Sequence, residues 1–232
     1  EWDQSEPIDW VTSNLWWLKT VSKTENSHSG LSALKLQTAD FTDEKEVKVL
    51  LSSLRHDLDL LHEHAVNEDN IIFPEIADEE PQMIEVLNEE HKKLESKLNN
   101  LLVLIEKTEL SNSIEERMLL GNSLNSLFND FIADYLAHMN HEEATVLEAS
   151  FKYLTDEELI AIRTRIQSNV PPDRYKVWMN WMLRSLNNTE LVGLLGSMKT
   201  SAPSNVFDYI LDATKSVLDS ERWLKMKLSL GA

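Results

Sequence analysis

The stretch LLHEHAVNEDNIIFPEI, residues 60–76, decides the fold because it sets a histidine and a glutamate one helical turn apart among apolar residues. His64 and Glu68 are four positions apart, so their side chains leave a helix in directions about 40° apart. The leucines and isoleucines around them recur at helical spacing. The stretch therefore predicts a helix that presents an imidazole and a carboxylate to the interior of the protein.

The same step recurs in FIADYLAHMNHEEATVLEA, residues 131–149, and a further histidine lies on the apolar face of EVLNEEHKKLESKL, residues 85–98. Burying two neighbouring carboxylates costs several kcal/mol unless a cation neutralises them. We therefore predict a metal site whose carboxylates suit bridging between two metals. Imidazole and carboxylate ligands without thiolate favour iron, manganese or zinc over metals that prefer soft ligands. The predicted ligands are His64, Glu68, His91, His138 and Glu142.

The composition of the 232 residues excludes several classes of protein. There is no cysteine, so disulfides, zinc–thiolate sites, iron–sulfur clusters and cysteine nucleophiles are excluded. The net charge of -18, with the excess acidity in residues 1–154, argues against nucleic acid or an anionic membrane surface as partner. No apolar run is long enough for a transmembrane helix, and we expect a cytoplasmic location.

Five glycines and six prolines indicate long helices joined by short loops. We predict a loop at residues 22–30, in which the Glu25 to His28 step is incidental. Thr42 or Asp43 caps the second helix, and Pro74 ends it. The predicted helices cover residues 9–21, 43–68, 81–107 and 113–149.

Residues 155–232 differ from the rest because their charges balance and their predicted helices are short. Thr155 and Glu158 form a capping box, and Pro171-Pro172 begins another helix. We expect a helical extension packed on the bundle, with tryptophans and methionines in its core. Its surface is a candidate site for a protein partner.

Other metal and catalytic patterns are absent from the sequence. It has no His-Glu-x-x-His, no paired Glu-x-x-His helices, no Gly-rich phosphate loop and no Gly-x-Ser-x-Gly.

Three motifs in order resemble those of hemerythrin-like (HHE cation-binding) proteins. HAVNEDNIIFPEI is similar to the family's second-helix motif, EEHKKL to its third and HMNHEEATVL to its fourth. The segment NVPPDRYKVWMNWMLRSLNNTE, residues 169–190, resembles the tail that follows such bundles. The resemblance implies an all-α, up-down four-helix bundle over residues 7–150, followed by several shorter helices over 155–232.

The resemblance also implies two non-haem irons. His64, His91 and His138 would be terminal ligands, and Glu68 and Glu142 would bridge the irons. The family has a first-helix histidine in a Pro-Ile-x-x-x-His segment, but this chain reads PIDWVTSNLWWL, with Thr12 at that position. One iron instead of two is therefore the alternative.

Several polar residues near the predicted ligands have alternative placements. His56 lies about 80° around the helix from His64 and could approach the site, whereas His62 should face away. His141 is expected at the bundle edge. Asp134 and Tyr135 either make hydrogen bonds next to the ligands or line a ligand pocket, with core packing as the alternative for Tyr135.

Three functions stay open on the sequence. The first is binding or sensing of dioxygen, nitric oxide or the iron and redox state. The second is a di-iron oxidoreductase or iron-handling enzyme. The third is a degenerate bundle that serves as an interaction module, which the Thr12 departure favours.

Overall fold

The computed structural model describes residues 16–201 and 203–231, and all regular structure in them is helical. The predicted all-α class is therefore confirmed. The helices are α1 (Trp16–Thr38), α2 (Glu44–Asn67), a π-helical turn (Glu68–Ile72), α3 (Phe73–Ile76), α4 (Pro81–Leu110), α5 (Ile114–Tyr153), α6 (Asp156–Asn169), α7 (Pro172–Ser185), α8 (Asn188–Ser201), α9 (Ser204–Val217) and α10 (Ser220–Ser229).

The helices α1, α2, α4 and α5 contribute to one apolar core, as a four-helix bundle requires. Leu36 of α1 joins Leu54 and Leu58 of α2, Leu101 of α4 and Phe131 of α5 in this core. Neighbouring helices run in opposite directions. Ion pairs between α4 and α5 show this, because Lys97 pairs with Asp130, whereas Glu90, two turns earlier, pairs with His138, two turns later.

The loop predicted at residues 22–30 is wrong, because these residues lie within α1. Serine and threonine favour turns when their side chains bond the local backbone, but here Thr24 and Ser29 lie on a buried helix face with Ser32. Asp57 of α2 holds this face: its carboxylate accepts from Ser32 Oγ at 2.6 Å and lies 2.8 Å from His28 Nε2. Tertiary contacts thus override the local preference.

The prediction that Pro74 ends the second helix is also wrong. The chain continues through the π-helical turn Glu68–Ile72 into α3, in which Pro74 occupies the first turn. A proline inside a continuing helix removes one backbone hydrogen bond, and here it follows the π-helical turn, where the pattern of these bonds changes. The other helix starts follow the sequence: Asp43 and Ser113 cap α2 and α5, and Pro81 begins α4.

The described chain divides into two compact units, which are treated separately below. One contains residues 26–166 and the bundle core. The other contains residues 167–231 with the start of α1, and has its own core around Leu183, Leu191 and Leu195. The predicted domain boundaries, 7–150 and 155–232, stay a prediction. The capping box is present, with Glu158 bonding Thr155 N at 2.8 Å.

Within the described residues, none of the helices combines the length and the apolar character needed to cross a bilayer.

Candidate metal centre

The five predicted ligands converge at one level of the bundle. His64 lies in the last turn of α2, and Glu68 opens the π-helical turn that follows it. His91 comes from α4, and His138 and Glu142 come from α5. Four of the five residues are buried, and His64 is half-buried. The wide π turn is a feature often found at functional sites, and here it contains the glutamate at the centre of the cluster.

The donor atoms form two overlapping groups that share Glu68. Glu68, His91 and His138 make one group, and His64, Glu68 and Glu142 make the other, with all donor atoms of a group within 4.8 Å of one another. Glu68 Oε1 lies 2.7 Å from His64 Nε2, and Glu68 Oε2 lies 3.5 Å from His91 Nε2. One carboxylate therefore faces both groups, which is the geometry of a bridging ligand.

Glu142 also lies between the two groups. Its Oε2 is 3.8 Å from His138 Nε2 and 3.9 Å from His64 Nε2. The Nε2 atoms of His91 and His138 are themselves 3.0 Å apart. The imidazoles thus turn their Nε2 atoms towards a common centre, and the two carboxylates lie across it.

Two carboxylates that the sequence analysis did not single out bind the outer nitrogens of these histidines. His91 Nδ1 donates to Asp69 Oδ1 at 2.8 Å, and His138 Nδ1 donates to Glu90 Oε2 at 2.8 Å. The other oxygen of Glu90 accepts from His141 Nδ1 at 3.0 Å. The sequence did contain a signal for these two carboxylates, because Asp69 directly follows Glu68 and Glu90 directly precedes His91.

The two buried glutamates have pKa values that move in opposite directions. Burial raises the pKa of Glu68, but the neighbouring His64 and hydrogen bonds with Glu142, His64 and His91 outweigh burial and hold it well below its usual value. Burial, the charge of Glu68 and a hydrogen bond with it raise the pKa of Glu142 well above its usual value. The fold therefore favours the ionised form of Glu68 and the protonated form of Glu142.

The two histidines that face each other also differ in protonation. Burial lowers the pKa of His91, but hydrogen bonds with Asp69 and Glu68 and the charges of both carboxylates raise it to about 9. Burial also lowers the pKa of His138, and the positive charge of His91 adds to this against the hydrogen bond with Glu90. His91 is therefore a cation at neutral pH, and His138 is neutral.

A small cavity of about 40 Å³ adjoins the histidine side of the cluster. A buried water needs roughly 10–15 Å³ on the same measure, so the cavity has room for two or three water-sized molecules. Its wall includes the three clustered histidines and is otherwise mostly apolar. The lining residues are Leu61, His62, His64, Ala65, His91, Leu94, Glu95, Leu98, Phe131, Tyr135 and His138.

The other polar residues that were predicted near the ligands lie in different environments. Tyr135 is buried and stacks on Phe131 at 5.9 Å, as core packing requires, and it also lines the cavity. Its place in a ligand pocket stays a prediction. Asp134 instead pairs with Lys93 at 2.8 Å and Lys97 at 2.6 Å. His141 lies at the bundle edge, with 39% of its side chain exposed.

Two histidines and Thr12 complete the comparison with the sequence. His62 is exposed, as expected for its direction, yet its side chain reaches the wall of the cavity. His56 is half-buried and belongs to neither donor group. Thr12 lies outside the described residues, so its predicted place next to the cluster stays a prediction.

The donor set fits a pair of divalent or trivalent cations. Three imidazoles and two carboxylates without thiolate suit iron, manganese or zinc. Two adjacent buried carboxylates repel each other, and a cation between them removes both the repulsion and the cost of burial. The raised pKa values of Glu142 and His91 favour a proton on each residue, which reduces this cost in the absence of a cation.

A family model described as the hemerythrin HHE cation-binding domain matches residues 25–150, more than half of the chain. The matched range contains all five clustered donors, Asp69 and Glu90. No curated protein and no solved structure matches the chain.

Proposed function

The chain belongs to the hemerythrin HHE cation-binding family, and we propose that it holds two non-haem irons and binds dioxygen or nitric oxide beside them. The observation that carries the proposal is the pair of donor groups that share Glu68. Glu68 would hold a cation in each group, and Glu142 would supply a second carboxylate near the histidines of both groups. His91 and His138 would hold one iron, and His64 would hold the other.

Bound iron supplies redox-active centres that accept a small ligand at an open coordination position. The residues that line the adjoining cavity determine which ligands can enter. Leu94, Leu98 and Phe131 make part of the cavity wall apolar, and the volume of the cavity admits a diatomic molecule but no large organic substrate. Reversible binding or sensing of a diatomic gas therefore agrees best with the size and polarity of the cavity.

The first test is elemental analysis of protein purified anaerobically without an affinity metal column. Two irons per chain support the proposal, and one or none contradicts the paired site. Glu68→Ala and Glu142→Ala should each lower the metal content more than His141→Ala does, because His141 is outside both donor groups. Equal loss in all three variants would overturn the ligand assignment.

The second test separates gas binding from catalysis in iron-loaded protein. A visible spectrum that changes on adding dioxygen or nitric oxide and returns on removing it supports binding or sensing. The cavity wall also contains His62 and Tyr135, which are acid–base groups, so a di-iron oxidoreductase or iron-oxidising enzyme is the second candidate. Multiple turnovers with peroxide or ferrous iron, lost in His62→Ala or Tyr135→Phe, would favour this candidate.

A further inference from the structure

Asp69 and Glu90 are partly exposed carboxylates, yet each bonds a buried histidine of the centre. Their side chains are 40% and 33% exposed, whereas those of His91 and His138 are 7% and 3% exposed. Both distances from Nδ1 to the carboxylate oxygen are 2.8 Å. Ordinary surface ion pairs join two exposed groups and contribute little to stability. These two bonds differ because one partner in each is fixed inside the bundle.

The two carboxylates connect the helices in a regular order. Asp69 follows the shared ligand Glu68 and holds His91 on α4. Glu90 precedes His91 on α4 and holds His138 on α5. The π-helical turn and α4 therefore each contribute a donor to the centre and, from the adjacent residue, an acceptor for the histidine of the next helix. The orientation of one ligand is thereby coupled to the position of the preceding helix.

These bonds fix which nitrogen of each ring faces the centre. A carboxylate only accepts, so the Nδ1 atoms of His91 and His138 carry protons, and the Nε2 atoms are the ones available to a metal. The two Nε2 atoms accordingly point at each other, 3.0 Å apart. Phe73 stacks on the ring of His91 at 5.4 Å, which restricts its rotation further.

We propose that Asp69 and Glu90 are positioning residues of the metal centre, holding His91 and His138 by Nδ1 so that Nε2 faces the metal. The inference rests on the proposed metal-binding function. Carboxylates that orient a ligating histidine raise its basicity, and their loss lowers metal affinity by about 10- to 100-fold. Asp69→Ala and Glu90→Ala should each weaken the site by that factor. Asn and Gln retain an acceptor oxygen, so Asp69→Asn and Glu90→Gln should recover part of the loss.

The test uses Co²⁺ as the probe on the full chain, with affinity measured by competition against a chromophoric chelator. Glu89→Ala is the matched control for Glu90, because Glu89 is its exposed neighbour and pairs with Lys92. Asp59→Ala, an exposed position on α2, is the control for Asp69. Both controls should bind Co²⁺ as the unaltered chain does. Melting of the stripped variants by circular dichroism verifies that each one folds.

Proton NMR of the Co²⁺-loaded protein distinguishes loss of these hydrogen bonds from a general loss of stability. The Nδ1–H protons of metal-bound histidines are shifted by the paramagnetic ion and disappear in D₂O. Asp69→Ala should lose or broaden one such signal and Glu90→Ala a different one, because each removes the acceptor that slows exchange.

Unchanged affinity and unchanged exchangeable signals in both Ala variants would overturn the positioning role. The metal site would stand in that case, provided that Glu68→Ala still abolishes binding. Failure of the unaltered chain to bind Co²⁺ would instead overturn the site itself and the positioning role with it.

Discussion

Glu68 and Glu142 are the same residue type in the same cluster, but their surroundings shift their pKa values in opposite directions. Glu68 faces His64 and His91 at 2.7 and 3.5 Å, which stabilises its charge. The oxygen atoms of Glu142 lie 3.8 Å or more from the histidine nitrogens, and Glu68 repels its charge. The direction of each pKa shift is therefore set by the distances to neighbouring groups and not by the residue type.

The two isosteric glutamine substitutions should consequently change stability in opposite directions. In protein stripped of metal at pH 8, Glu68→Gln removes a charge paired with histidines and should lower the melting temperature. Glu142→Gln removes a carboxyl whose ionisation is unfavourable in the fold and should raise it. Thermal melting followed by circular dichroism measures both. A change of the melting temperature in the same direction in both variants would contradict the opposite pKa shifts of the two glutamates.

Metal affinity should increase with pH up to about 9, the pKa of His91. Its Nε2 must lose a proton to bind a metal, so this residue alone raises apparent affinity by up to about tenfold per pH unit below that value. The raised pKa of Glu142 adds to the slope, because its carboxyl must also be ionised to bind a metal. His138 has a lowered pKa and adds no such dependence in this range. Zn²⁺ titrations in the presence of a competing chelator between pH 6.5 and 8.5 measure the slope. Constant affinity across that range would refute the raised pKa.

The raised pKa of His91 also makes the stability of the metal-free protein depend on pH. Because the pKa of His91 is raised in the fold, its protonation stabilises the fold fully below pH about 6.5, the usual pKa of histidine. That contribution is lost as pH rises towards 9. Stripped protein should therefore have a lower melting temperature at pH 9 than at pH 6.5 on account of this residue, and His91→Gln should reduce the difference.

At the scale of the elements, the turn between α1 and α2 packs directly on α5. The ring of Phe41 lies across Gly121, and a Cβ added there would meet ring carbons at 2.6 Å. Arg117, one turn earlier on α5, donates from Nε to the backbone oxygen of Phe41 at 3.1 Å. The absence of a side chain at Gly121 thus lets the turn approach the helix closely.

Gly121→Ala should therefore destabilise the bundle by about 1–3 kcal/mol, because Phe41 must move from its packed position. Gly30→Ala is the matched control, since it is also helical and a Cβ there meets nothing within 4 Å. It should stabilise the fold by about 0.5–1 kcal/mol through helix propensity. Urea unfolding of both variants measures the free energies. Equal effects would show that Phe41 adjusts at no cost.

Element prediction succeeded where the end signals were local and failed where packing decided. Asp43, Ser113 and the Thr155–Glu158 box act through bonds to nearby backbone atoms, so their residue types are enough to locate helix ends. Residues 22–30 look like a loop until Asp57 of α2 supplies a partner for His28 and Ser32. A partner 25 residues or more away along the chain leaves no signal in a local pattern.

At the scale of the whole molecule, the two compact units have separate cores, and all the clustered donors belong to residues 26–166. Metal binding should slow amide exchange in the segments that hold the donors, residues 64–72, 87–95 and 135–146. Hydrogen–deuterium exchange with and without Zn²⁺ measures this. Protection confined to these segments fits a self-contained site. Protection that extends to residues 188–229 would show coupling to the C-terminal unit, as a sensor with an output surface requires.

The sequence by itself determined the helical class, the family resemblance and the five donors, because helical periodicity converts His-x-x-x-Glu spacing into a shared direction. The tertiary structure decided which atoms meet. It brought Glu68 between two donor groups and placed Asp69 and Glu90 beside the histidines. It also shifted the pKa values of the two glutamates in opposite directions and left a cavity beside the histidines. Those features depend on distances between helices that are remote in the chain, and only the packing of the bundle sets them.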